Sequence, residues 1–531
     1  MKRRDFISLS AAAGASLIAG GGAGEIYAQQ QQQTPMKKFE LEEMSVTDLQ
    51  EAMRAGRLTA RQIAQKYLDR IEAVDPQLKS IVETNPDALA IADEMDRERR
   101  AGRVRSALHG IPVLLKDNID TADRMKTTAG SLALVDAPAP RADAHLVGRL
   151  REAGAVILGK TNLSEWANFR SENSSSGWSG RGGQTRNPYI LDRNPCGSSS
   201  GSGVAVAANL AAVAVGTETD GSIVCPASIN GIVGLKPTLG LVSRSGIIPI
   251  AHSQDTAGPM TRTVADAAAL LNAMVGADAR DAVTASARAE KDYTQFLRKD
   301  ALRGARIGVA RQYFGRSARL DKLLEEQLKV LKAGGATLFD VEFPTLQKFG
   351  DAEYEVLLYE FKTDLNKYLA GRGGRYQTLA DLIKFNEENK DREMPYFGQE
   401  IFLKAEAKGG LEDRAYRLAL LQSKVMTQEQ GIDAVVKKDN LDAVFAPSNS
   451  PTWMIDLVSG DCGSSYVGSS SLAAVAGYPN ITVPAGFINE LPIGVSFFGA
   501  AFTEPKLIGI AYAFEQAARA RRAPKFLPTY Q

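Results

Sequence analysis

A lysine and two serine-bearing loops, far apart in the chain, offer hydrolytic chemistry that needs no histidine. Lys116 ends the apolar run 111–115. Residues 196–203 form a loop rich in glycine and serine, with Ser198, Ser199, Ser200 and Ser202. A second loop carries Thr219-Asp220-Gly221-Ser222 just after the apolar run 211–215. A serine hydroxyl attacks well only when a base takes its proton. The chain has three histidines, His109, His145 and His252, each expected to be structural or on the surface. Lysine is then the candidate base. Its pKa starts near 10.4, and lowering it to about 7 costs roughly 4 kcal/mol; burial at the end of an apolar strand supplies that shift. Asp117, next along a strand, would point to the opposite side from Lys116.

Ser222 follows a glycine that lets the backbone turn sharply, so that successive N–H groups converge on one point. A helical turn starting at or just after Ser222 would add a favourable dipole for developing negative charge. That layout suits a nucleophile inside its own oxyanion hole, or a loop serine that only caps a helix. The loop 196–203 is open to other readings too. Gly197-Ser198-Ser199-Ser200-Gly201 fits the G-x-S-x-G elbow with Ser199 as nucleophile, but that arrangement needs a later acid and histidine. The one histidine after Ser199 is His252, set among Pro249, Ile250 and Ala251. A phosphate cradle is disfavoured because neither G-K-[ST] nor G-x-G-x-x-G is present.

The elements that must position these residues follow from hydrophobic spacing. Thr59-Ala60-Arg61-Gln62 is a capping-box pattern. Ile63, Ala64, Tyr67, Leu68 and Ile71 continue at helical spacing, and Asp75-Pro76 is expected to stop the helix. Another helix is expected at 86–100. Short apolar strands are predicted at 113–115, 155–158, 211–215, 306–310, 337–343, 443–446, 481–483 and 494–498. Helices are predicted near 143–153, 201–209, 263–275, 319–333 and 504–520. This is an α/β pattern: a large mixed β-sheet core covered by helices on both faces. Residues 39–531 are expected to form a single domain. The stretch 345–440 has charged and aromatic residues at helical spacing and no convincing strand, and is expected to be a helical insertion bordering the substrate cleft.

Composition narrows the classes. The chain has 531 residues, 44% of them hydrophobic, and a net charge of +1. Acids and bases are mixed along it, without the basic stripe of a nucleic-acid binder. Cys196, Cys225 and Cys462 are an odd set without metal-ligand spacing, and Cys225 reads as a small core residue. Lys2-Arg3-Arg4 precedes a weakly apolar segment rich in glycine and alanine. Residues 1–28 resemble a twin-arginine-type export signal, and 29–38 a disordered, low-complexity spacer. That segment is a poor bilayer span, so no stable membrane insertion is expected. The expected location is periplasmic or secreted.

Together, 110–118, Gly159-Lys160-Thr161-Asn162, 196–203, 216–226 and Gly234-Leu235-Lys236-Pro237-Thr238 resemble the amidase signature family, over roughly residues 40–530. Within it, 162–170, 177–179 and 182–188 look like the bacterial peptide amidases. Ala476-Gly477-Tyr478-Pro479 and Glu504-Pro505-Lys506-Leu507 agree. The resemblance implies an amidase-signature fold and a triad of lysine, a serine in a cis peptide, and a nucleophilic serine. By motif these are Lys116, Ser198 and Ser222; Ser198 is the first serine after the pair Cys196-Gly197. Backbone N–H groups at Thr219, Asp220, Gly221 and Ser222 would hold the oxyanion. No cofactor and no metal are implied. Cys196 and Val224 depart from the commonest pattern, and Lys236 is not the motif-matched base. The expected activity is hydrolysis of carboxamides, above all the C-terminal amide of peptides, giving acid and ammonia. Alternatives are a broad-specificity amidase or aryl-acylamidase with the same triad, a glutaminase-type subunit of a tRNA amidotransferase, and an inactive binding protein. The expected partner is a small-molecule or peptide amide substrate, with a monomer favoured.

Overall fold

Apolar runs that are buried along their whole length build the centre of the molecule. The computed structural model describes residues 39–461 and 466–530; the segments read as export signal and spacer lie outside them. The strands are β1 (Ile81–Thr84), β2 (Pro112–Lys116), β3 (Val156–Thr161), β4 (Trp178–Ser179), β5 (Gly183–Gln184), β6 (Val213–Glu218), β7 (Val233–Lys236), β8 (Thr256–Thr261), β9 (Arg306–Ala310), β10 (Thr337–Val341), β11 (Ala443–Pro447), β12 (Asn480–Ile488) and β13 (Leu491–Phe498). β4 and β5 pair with each other, and the other eleven form one sheet in the order β1-β3-β2-β6-β8-β7-β12-β13-β11-β9-β10. The sheet is mixed. β2 runs parallel to β3 and β6, β6 antiparallel to β8, and β11 parallel to β9. β2, β3 and β6 are buried at every residue, which is why their leading halves read as short continuous apolar runs and not as alternating ones. Residues Leu41–Gln531 form one compact unit.

Helices pack around this sheet. Ser200–Ala207 lies against β2, β3, β6 and β8, while Val224–Ile229 lies against β7, β12 and β13. The first begins within the 196–203 segment, two residues after Ser198, and the second two residues after Ser222, so the sheet fixes where both serines stand. Between β10 and β11 the chain is helical, beginning with Gly350–Arg372 and ending with Asp433–Lys438. Phe361, Leu365, Leu369 and Phe402 from this stretch share a core cluster with Trp166, Phe169, Ile248 and Ile250. The helical stretch is thereby docked on the loops that flank the candidate site.

Two local expectations are corrected. The helix Ala60–Leu78 continues through Pro76. A proline so near the end removes one N–H from the last turn, and the chain then turns at left-handed Lys79. The Asp75 carboxylate accepts the N–H groups of Ser80 and Ile81 and fixes that turn. The second correction is that β1, β4, β5, β7 and β8 are strands outside the predicted set. β8 contains Gly258-Pro259, a loop signature. A Cβ at Gly258 would stand 2.0 Å from the Leu235 carbonyl oxygen, so the glycine is what lets β8 lie against β7.

Candidate active site

β2 and β6 are parallel neighbours with Leu115 opposite Val215. Their carboxyl ends therefore emerge side by side, where open α/β sheets hold ligands. Lys116, fully buried, comes out beside Thr217. Its Nζ lies 2.8 Å from Ser198 Oγ, 2.8 Å from Thr217 Oγ1 and 3.2 Å from the Thr217 carbonyl oxygen. Burial pulls the Lys116 pKa down to about 7, against the opposing pull of Asp255 and Glu218. A neutral amine has two N–H groups and one lone pair. The Thr217 carbonyl only accepts, and Thr217 Oγ1 can take the second N–H. The lone pair is then free for the Ser198 hydroxyl proton.

The serines of the 196–203 loop divide by partner. Ser199 Oγ donates to the Thr217 carbonyl at 3.0 Å and accepts the Thr217 N–H at 3.2 Å. Ser200 Oγ donates to the Cys196 carbonyl at 2.6 Å, and Ser202 Oγ donates to the Val215 carbonyl at 3.1 Å. Those three tie the loop to itself and to β6. Ser198 alone turns its hydroxyl to Lys116, from a Gly197–Ser198 peptide that is cis. Gly216 lets β6 approach this loop: a Cβ there would stand 2.8 Å from Ser199 Oγ.

Ser222 is tied through the main chain to the residue that follows Ser198. The Ser199 N–H donates to the Ser222 carbonyl at 3.2 Å. Among the described residues the Ser222 hydroxyl has no hydrogen bond, and the residue is 9% exposed. The buried Glu218 carboxylate accepts the N–H groups of Ile223 at 2.7 Å and Val224 at 3.0 Å. It thereby pins the start of the helix Val224–Ile229, and Gly221 takes the left-handed turn at φ +76°. The main-chain N–H groups of Thr219, Asp220, Gly221 and Ser222 donate to no other described protein group. Such a run of unpartnered donors suits a developing oxyanion.

A cavity of about 580 Å³ opens onto Ser198, Thr217 and Thr219, although Ser222 is not part of its wall. Asp255 in that wall accepts the Thr219 hydroxyl and the N–H groups of Ile250 and Ala251, and burial holds its pKa up at about 6. The helix Gly350–Arg372 contributes Asp364, Lys367, Tyr368 and Arg372. The segment 166–186, which includes β4 and β5, contributes only Ala167.

Other residues singled out in the sequence have structural partners. Asp117 accepts from Arg181 and Thr128, away from Lys116. Lys236 donates to the Ala473 and Tyr478 carbonyls. His109 is buried against the Met95 carbonyl. His252 is a finding that sequence reasoning missed: it lines the cavity, with Nδ1 2.8 Å from Asp364, which raises its pKa. Cys225 is buried in a small core cluster, as expected, and it also forms a disulfide with Cys196, 29 residues away, which was not expected. Nothing in its Pro-Ala-Ser flank signals this, because the pairing comes from the tertiary approach of the two loops.

A family model described as amidase matches residues 62–508. The chain belongs to the amidase signature family. It is 44% identical over 502 residues to a probable amidase of Arabidopsis thaliana, covering 92% of this chain and 93% of that one. It is also similar to the native peptide amidase from Stenotrophomonas maltophilia, with a TM-score of 0.88 and 53% identity over 92% of this chain and 100% of the other. A peptide amidase in complex with the competitive inhibitor chymostatin gives a TM-score of 0.89 and 54% identity, again over 92% and 100%. The protein is an amidase, a hydrolase of carboxamide C–N bonds.

Proposed function

We propose that this enzyme is a peptide amidase that removes the C-terminal amide of peptides as ammonia, using Ser222 as nucleophile, Ser198 as proton relay and Lys116 as base. The observation that carries the reading is the buried Lys116 Nζ, 2.8 Å from Ser198 Oγ with a pKa lowered to about 7. A lysine neutral near pH 7 does the work that histidine does elsewhere. The peptide amidases to which the chain is similar support the choice of substrate.

In this reading Lys116 takes the Ser198 proton while Ser198 takes the Ser222 proton. Ser222 Oγ bonds to the carboxamide carbon, and the N–H groups at 219–222 receive the oxyanion. The tetrahedral intermediate collapses. Lys116, through Ser198, returns one proton to the departing NH₂, which leaves as ammonia. Water then attacks the acyl-enzyme by the same relay, releasing the acid and restoring the Ser222 hydroxyl. The residues supply each proton donor and acceptor needed.

A panel of peptide amides, simple aliphatic amides and anilides tests the substrate class. Peptide amides are expected to have the highest kcat/KM. Turnover of anilides without turnover of peptide amides would replace this reading by that of an aryl-acylamidase. We also propose export to the periplasm or beyond, supported by Lys2-Arg3-Arg4 and its following segment, and by a disulfide of the kind that persists in oxidising compartments. Cell fractionation tests this, and mature protein found in the cytoplasm would overturn it.

A further inference from the structure

The two cysteines that the amide chemistry does not use flank both serines of the site. Cys196 is two residues before Ser198, and Cys225 is three residues after Ser222. Their disulfide spans a Cα–Cα distance of 6.1 Å. Both are buried, in a small apolar cluster with Ile229 and the partly buried Trp453. Their main chains hold the site loops directly. The Cys196 carbonyl accepts the Ser200 hydroxyl at 2.6 Å, and the Cys225 N–H donates to the Gly221 carbonyl at 2.8 Å.

Cys196 also adopts φ +57°, a left-handed conformation that a β-carbon disfavours and glycine takes freely.

We propose that Cys196 and Cys225 are positioning residues: their disulfide clamps the Ser198 loop to the turn that carries Ser222, so the oxidised enzyme turns over and the reduced enzyme does not do so efficiently. This rests on the roles given above to Ser198 and Ser222. Without the covalent link, the loops remain joined by the Ser199–Ser222 main-chain bond and by Asn230, whose Nδ2 donates to the Pro195 and Pro226 carbonyls. Those bonds preserve the fold but leave the two hydroxyls less well aligned, and a displacement of about 1 Å at a reacting centre costs roughly 100-fold in rate. Full activity is thereby tied to an oxidising compartment.

The test is to reduce the purified full chain with dithiothreitol. Two electrons and two protons convert the disulfide to two thiols, and dithiothreitol closes to its cyclic disulfide. Peptide-amide hydrolysis, circular dichroism and hydrogen exchange are followed before and after. The expected result is a fall in kcat of about tenfold or more, with KM and the circular dichroism spectrum little changed, faster exchange of the Ser199 amide, and recovery on reoxidation. Cys196→Ser/Cys225→Ser should reproduce the fall and ignore dithiothreitol. Cys462→Ser should keep both the activity and its response to reduction. Unchanged kcat in protein shown to carry the two new thiols would overturn the clamp. If the oxidised chain hydrolyses no amide, the functional reading fails by itself. Exchange at Ser199 then decides the clamp alone: faster exchange on reduction supports it, and unchanged exchange overturns it.

Discussion

Lys116 Nζ stands 2.8 Å from Ser198 Oγ across a sequence separation of 82. The meeting is made by two parallel strands in register and by a loop whose Ser199 and Ser202 are tied to β6. Lys116 is also fully buried, and that burial is what brings the amine into the range of a base.

The first prediction follows from that burial. With the Lys116 pKa lowered to about 7, the neutral base forms as pH rises through about 7. kcat/KM should climb with pH along a limb with an apparent pKa near 7. A pH–rate profile on a peptide amide checks this, and a flat profile from about pH 5 to 9 would contradict it.

Stability carries the same signature with a definite sign. The folded-state pKa of Lys116 lies below its unfolded value, so from about pH 7 to 10 the unfolded chain binds more protons at this residue. Burial therefore penalises folding fully below about pH 7, and the penalty declines as pH rises toward the unfolded pKa. Lys116→Met lacks this term. Its Tm should exceed that of the wild type most at pH 6 and least near pH 10, as read by thermal unfolding across that range.

The serines should separate by role. Ser222→Ala should lose amide hydrolysis by about 10⁴-fold or more and stop reacting with a serine-directed phosphonofluoridate. Ser198→Ala should lose about 10²–10⁴-fold, the range for one proton-transfer group. Mass spectrometry of the labelled wild type should find the adduct on Ser222. An adduct on Ser199 instead would revive the elbow reading.

Glu218 should prove necessary for its shape as an acceptor more than for its charge. Burial raises its pKa, and its one oxygen accepts two main-chain N–H groups at the start of the helix after Ser222. Glu218→Gln retains a carbonyl oxygen and should keep most of kcat. Glu218→Ala leaves two buried donors unpaired, a cost of roughly 1–3 kcal/mol each, and should lower kcat by about 10–100-fold. Steady-state kinetics of the pair decides between acceptor and charge.

Much of this was legible in the sequence because the chemistry and the sheet use the same residues. The apolar approach to Lys116 and the run before Gly216 marked β2 and β6, and of the four neighbouring serines the one that the motif pattern singles out, Ser198, is the one whose hydroxyl lies beside Lys116. The missed parts are those where tertiary contact overrides local pattern. β8 hides behind Gly258-Pro259, because its glycine is needed for a neighbour's carbonyl and not for a turn. β3 and β6 extend through polar residues, Gly159-Lys160-Thr161 and Gly216-Thr217-Glu218, whose polar groups find partners only in the folded site. The Cys196–Cys225 link and the place of His252 beside Asp364 join residues with no periodic relation, so no spacing rule could have found them.

The account depends most on the amine at position 116, and activity of Lys116→Ala on a peptide amide, measured at pH 8 beside the wild type, tests it most directly. A folded variant with about 10⁴-fold lower kcat/KM is the predicted result. A folded Lys116→Ala enzyme with wild-type kcat/KM would contradict it.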